Sequence, residues 1–158
     1  MDTTDTKPLT TLSEAESIEL LGTQEVGRLV YTRRALPAVT PVNFALHDDA
    51  VWIWTASSSS MWQAVRGAVV AFEADELDAA SRSGWSVVVV GVAELVSDPA
   101  RLERARELGP EPWVGGRKEY LLRIPLKLVS GRRVQAGEPD PNRGGSPGPG
   151  AGSPLARS

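Results

Sequence analysis

The chain contains no cysteine. Disulfide frameworks, thiolate metal sites, iron–sulfur clusters and cysteine nucleophiles are excluded together. A single histidine, His47, rules out zinc centres built on several imidazoles and two-histidine helix motifs. No apolar run approaches the roughly 18 residues that a membrane span needs. An excess of positive charge is also missing: 17 Lys and Arg face 20 Asp and Glu, for a net charge of -3 and a pI near 5.2. That balance argues against nucleic acid as the main partner. The opening segment MDTTDTKPLT is polar and acidic, unlike a secretion signal, so a cytoplasmic protein is expected. Catalysis, if present, rests on a cofactor or on hydroxyls, carboxylates and backbone.

What is present fits one globular domain with a tail: 158 residues, 41% of them hydrophobic and 23% charged. Residues 136–158 hold 11 Gly or Pro among 23, with Leu155 the one large apolar side chain. Such a segment buries too little surface to offset its chain entropy and reads as disordered. Residues 1–10 are expected to fray, which leaves a folded domain over 11–135. There is no internal repeat.

Within that domain, Ser13-x-x-Glu16 reads as a capping box for a helix over 14–21 ended by Gly22. Val26–Thr32, Ala38–Leu46 and Val51–Thr55 read as an antiparallel meander, with Pro41 marking an edge or a bulge. A short helix over Met61–Arg66 stops at Gly67, and a strand over Ala68–Ala74 leads to an acidic loop, Asp75 to Asp78. Gly84–Val96 is the strongest strand; its run Val87–Val90 predicts burial on both faces, and Gly91 a bend. Asp98 and Pro99 open a helix that ends before Gly109-Pro110, and Glu119–Val129 is the last strand. The whole is mainly β: a six-stranded antiparallel split β-barrel of Greek-key type with a few short helices.

Several groups are candidates for chemistry. Thr55 and Ser57 to Ser60 put five hydroxyls in six residues at a strand end, which suits a phosphate or is simply a polar loop. Trp52 and Trp54 share one strand face, as core or as a flat contact surface. Basic residues crowd Arg117–Arg133, but charged strand edges do so for solubility alone. The acidic residues 73–78 lack the spacing of a calcium loop, so no metal site is expected.

The motifs Val26-Gly27-Arg28-Leu29, Thr40-Pro41-Val42-Asn43-Phe44, Val70-Ala71-Phe72-Glu73-Ala74-Asp75, Gly84-Trp85-Ser86-Val87, Pro112-Trp113 and Arg123-Ile124-Pro125, followed by Ser130-Gly131-Arg132-Arg133, occur in that order. Together they resemble the pyridoxamine 5′-phosphate oxidase-like FMN-binding split-barrel family, in the small actinobacterial branch akin to nitroimidazole-resistance proteins. The resemblance covers residues 11–134. It implies a homodimer with two flavin sites at its interface and a flavin-dependent oxidoreductase acting on a small molecule. The cofactor implied is FMN, with the deazaflavin F420 as the alternative. Pro41, Val42 and Asn43 would lie along the ring, offering backbone amides. Trp54 and Thr55 would meet the flavin and its phosphate, Ser59 and Ser60 would close the phosphate loop, and Trp85 and Ser86 would reach the ring from the side.

The family's phosphate loop usually ends in a basic residue where this chain has Ser60, and close relatives often carry Arg where it has Trp54. Arg66, or Arg117 or Lys118 of a second subunit, are the candidate replacements. The same departures point to the alternative: a non-catalytic dimeric binding protein that kept the barrel and holds flavin weakly or not at all. A haem-handling relative, with His47 as the ligand, is a third reading. No side chain stands out as a general acid or base.

Overall fold

A computed structural model describes residues 9–56, 59–111 and 120–136. Of the segments expected to be disordered, 1–10 and 136–158, residues 1–8 and 137–158 lie outside the described residues, as do Ser57, Ser58, Trp113, Arg117 and Lys118.

The strands form two antiparallel sheets. The larger joins β1 (Leu9–Leu12), β10 (Leu128–Val134), β7 (Ser83–Val92), β6 (Val69–Asp78), β2 (Val26–Arg33) and β3 (Leu36–Asn43), in that spatial order. The smaller joins β4 (Ala45–His47), β5 (Ala50–Thr55), β9 (Tyr120–Pro125) and β8 (Glu94–Val96). The chain passes between sheets at Phe44, at Ala93 and at the turn through Leu126 and Lys127. This is the antiparallel split-barrel architecture expected from the sequence.

One core fills the space between the sheets. Leu29, Phe72, Val87 and Val89 enter it from the large sheet, and Val51, Ile53, Leu122 and Ile124 from the small one. Alternation along each strand decides this: Val87 and Val89 are fully buried, whereas Val88 and Val90 on the outer face are half-buried. Gly27 is required by that packing, because a Cβ there would lie 2.3 Å from the Phe72 ring. A second, smaller core forms on the outer side of the small sheet. There α3 (Pro99–Leu108) lays Leu102 and Ala105 on Ala50, Trp52, Trp54, Val96 and Leu121.

The helices form where their caps predict. Ser13 Oγ accepts from Glu16 N at 3.1 Å to start α1 (Glu14–Leu21), and Asp98 Oδ1 accepts from Ala100 N at 3.1 Å to start α3. The five-residue α2 (Met61–Val65) precedes Gly67 at φ +72°.

The strand count differs from the six expected. The stretch Ala38–Leu46 is cut at Phe44, Gly84–Val96 at Ala93, and the last strand is a hairpin of β9 and β10. In each case the chain bends from one sheet into the other while its apolar pattern continues, so the sequence reads as one run. Residues 75–78 are not a loop but the end of β6, paired with Ser83–Ser86. Pairing also starts earlier than expected, at Leu9, which lies opposite Val134.

Candidate functional site

Strand β3 is an edge, so one of its two rows of backbone N–H and C=O groups has no strand partner among the described residues. Pro37 and Pro41 are tolerated for that reason. Pro41 is exposed on the outer face opposite Arg28, while Val42 turns inward opposite Gly27. Asn43 ends the strand. Its Nδ2 is buried without a hydrogen-bond partner among the described residues, although a buried amide donor costs about 1–3 kcal/mol when left unpaired. Asn43 lines a recess of about 530 Å³ with Gln24, Phe44, Leu46, Leu108 and Pro110.

The loop expected to hold phosphate divides by strand parity. Thr55 shares the face of Val51 and Ile53; it is buried, and its Oγ1 donates to Ala56 O at 3.3 Å. Trp54 points to the other face, into the small core, with the Arg106 guanidinium 6.0 Å from its ring centre. One ligand group therefore does not meet both side chains on one side of the strand. Ser59 Oγ accepts from Met61 N at 3.2 Å. The Ser60 hydroxyl makes no capping bond, and Ser60 is exposed in a second recess of about 300 Å³, shared with Thr32, Arg33, Arg34, Gln63 and Ala64. Arg66 is exposed just past α2 and does not line that recess.

Trp85 is buried in the main core, and Ser86 stands on the outer face opposite Asp75 and Arg132. Strands β2 and β6 separate β7 from β3. Three strand spacings, about 14 Å, thus lie between Ser86 and Asn43. A single chain does not gather the expected residues into one cluster.

The outer face of the large sheet carries an electrostatic feature that the sequence reading passed over. Arg28 Nη1 lies 3.2 Å from Glu73 Oε2 and 3.2 Å from Asp75 Oδ2. One cation serves two carboxylates. Burial, and then the neighbouring Asp75, push the Glu73 carboxyl up to about 7 against the pull of Arg28. The i, i+2 spacing of Glu73 and Asp75 was the available signal. Around this cluster the face is apolar: Leu128, Val90, Ala71, Val30 and Val39 stand opposite one another across five strands, with Val69 and Val92 in the next row. Val39, Val69 and Leu128 are each at least 60% exposed.

His47 stacks on Trp52 with ring centres 4.7 Å apart and planes 6° from parallel. Its Nδ1 lies 3.3 Å from Asp48 Oδ2, and its Nε2 is buried. Asp48 in turn accepts from Nε and Nη2 of Arg104, the latter at 3.0 Å, which keeps its carboxyl at about 2. This network pins α3 to the β4–β5 turn, and it leaves the imidazole enclosed rather than open to an iron. Among the described residues no group of three His, Cys, Asp or Glu converges on a point, and no helix is long and apolar enough to cross a membrane.

Two antiparallel sheets around a shared core, with an open edge strand above a recess, define a small split-barrel protein. The chain belongs to the pyridoxamine 5′-phosphate oxidase family, whose family model matches residues 13–133. It is 42% identical over 130 residues to Rv0080 of Mycobacterium tuberculosis, an uncharacterized protein, covering 79% of this chain and 85% of that one. The solved FAD-binding protein of Mycobacterium smegmatis superposes with a TM-score of 0.70 at 32% identity, over 80% of this chain and 99% of that one. A FAD-binding protein of Mesorhizobium loti gives 0.66 at 25% identity, over 80% and 99%.

Proposed function

We propose that this chain binds a flavin along the open edge of β3 and acts as a cytoplasmic, flavin-dependent oxidoreductase on a small molecule. The observation that carries the reading is Asn43. Its buried, unpartnered Nδ2 ends an edge strand with free backbone groups, beside a recess of about 530 Å³. A flavin ring presents acceptors in its plane, which such an edge and an amide donor match. When bound, the flavin supplies the hydride chemistry; this chain's part is to bind and orient the ring. The similarity to two FAD-binding proteins supports a flavin nucleotide, either FMN or FAD, over F420.

The separation of Asn43 from Ser86 favours a site shared by two subunits. The apolar row Leu128, Val90, Ala71, Val30 and Val39 supplies the contact face, since exposed apolar surface of this extent marks an interaction site. A two-fold axis through that face would bring β3 of one subunit towards β7 of its partner.

The test is titration of the purified protein with riboflavin, FMN and FAD, read by quenching of flavin fluorescence and by absorption near 450 nm. Binding at about 10 µM or tighter, weakened by Asn43→Ala, is expected. No binding of any flavin at about 100 µM would leave the second reading, a non-catalytic binding protein, which Trp54 favours by its packing under α3.

A further inference from the structure

The β2–β3 hairpin turns through Arg34 and Ala35, at φ 51° and 64°. Two successive left-handed residues make the tight turn that Asn-Gly or Asp-Gly adopts at least cost. This chain puts an arginine and an alanine there, where a Cβ is disfavoured. The strained turn has a consequence for charge: Arg33 and Arg34 both line the recess of about 300 Å³ whose other wall is Ser60, Gln63 and Ala64 of the α2 segment. Neither guanidinium has an ion partner among the described residues; Arg66, Arg82, Arg132 and Arg133 are unpaired there too, but only Arg33 and Arg34 face this recess, whereas Arg28, Arg101, Arg104, Arg106 and Arg123 each meet a carboxylate. The side chains of Ser60 and Gln63 likewise make no hydrogen bond among the described residues. Among the described residues no acidic side chain lines the recess. They offer it two planar guanidiniums, a hydroxyl and an amide.

We infer that this recess is a phosphoryl-binding subsite, in which Arg33 and Arg34 hold the phosphate of the flavin nucleotide in place of a cation at position 60. The inference rests on the flavin reading given above. Guanidinium forks match phosphate oxygens and form charge-assisted bonds, which are roughly twice as strong as neutral ones. Positioning from the hairpin makes a basic residue at the start of α2 unnecessary, so Ser60 there does not imply loss of the nucleotide.

The test compares wild type with Arg33→Gln/Arg34→Asn. Asn tolerates the left-handed turn, so the hairpin is kept. FMN and FAD are expected to bind at least about tenfold more weakly, riboflavin within about twofold of wild type, and Arg34→Lys to lose less. Ser60→Asp, on the opposite wall, is expected to give the same nucleotide-selective loss without touching the hairpin. Unchanged nucleotide binding, or an equal loss for riboflavin, overturns the inference. If wild type binds no flavin at all, the reading of function fails separately, and inorganic diphosphate titrated by calorimetry decides the recess. Binding that vanishes in the double variant keeps it as a phosphoryl site for a different ligand. Absence of binding to wild type overturns it.

Discussion

Replacing Glu73 by glutamine tests the electrostatics of the outer face. In the native sheet the Arg28 guanidinium is 3.2 Å from both the Glu73 and the Asp75 carboxylates, so one positive charge faces two negative ones. Burial and Asp75 together hold the Glu73 carboxyl near 7, against 4.5 in an unfolded chain. The folded state thus prefers Glu73 protonated. The stability that this preference contributes is present in full below pH 4.5 and is lost as pH rises through 7. A shift of that size corresponds to roughly 3 kcal/mol. The Glu73 side chain keeps 22% of its surface exposed, and solvent screening reduces the figure to about 1 kcal/mol. Glutamine has the shape of the protonated acid and no charge. Glu73→Gln should therefore raise stability by about 1 kcal/mol at pH 8, or ~3–5 °C in Tm, and change it little at pH 5. Urea denaturation of both proteins at the two pH values measures the difference. Destabilisation at pH 8 would mean that the Arg28–Glu73 ion pair outweighs desolvation, and the reasoning would be refuted.

Three further outcomes follow from other parts of the molecule. Light scattering should give a mass near twice 16.9 kDa, and Val39→Lys, placing a charge in the exposed apolar row, should lower it to that of a monomer. Ser60→Lys should tighten FMN by about five- to a hundredfold and riboflavin hardly at all; an equal gain for both would mean the lysine acts on the ring or the fold. Gly131→Ala should cost about 1–3 kcal/mol in chemical denaturation, because the new Cβ would lie 2.2 Å from the buried Ser17 Oγ.

Much of the architecture was legible because its signals are local. Ser13 and Asp98 cap the helices they were expected to cap, and Pro41 lies on an edge strand. The places where one strand becomes two were not legible. Phe44 and Ala93 are apolar, buried residues inside apolar runs, and nothing in the period of the pattern says that the partner strand changes. Trp52 and Trp54 were read as sharing a face, which they do; that α3 covers this face depends on a docking partner 50 residues later. The residues expected at a site lie along β3, β5 and β7, and their placement relative to one another was not legible. Strand parity sets Trp54 apart from Thr55, and sheet order sets Ser86 apart from Asn43. The pairing of the β2–β3 turn with Ser60 across a recess joins positions 26 residues apart, a separation that no local pattern reveals.

The pairing of β1 with β10 constrains how the protein is made. Leu9 lies opposite Val134, and β10 sits between β1 and β7 rather than at an edge. During synthesis, β1 emerges first and has no strand to pair with until nearly the whole domain has followed it. The β2–β3 and β6–β7 hairpins can form as they emerge, but the large sheet stays open where β10 belongs. Closing a contact over so long a stretch of chain carries the largest loop entropy in the fold, which places this step late and makes folding slow for a domain of this size. Until then the apolar margin of β7 is uncovered, and a growing chain in that state is most exposed to pairing with its neighbours on the same message.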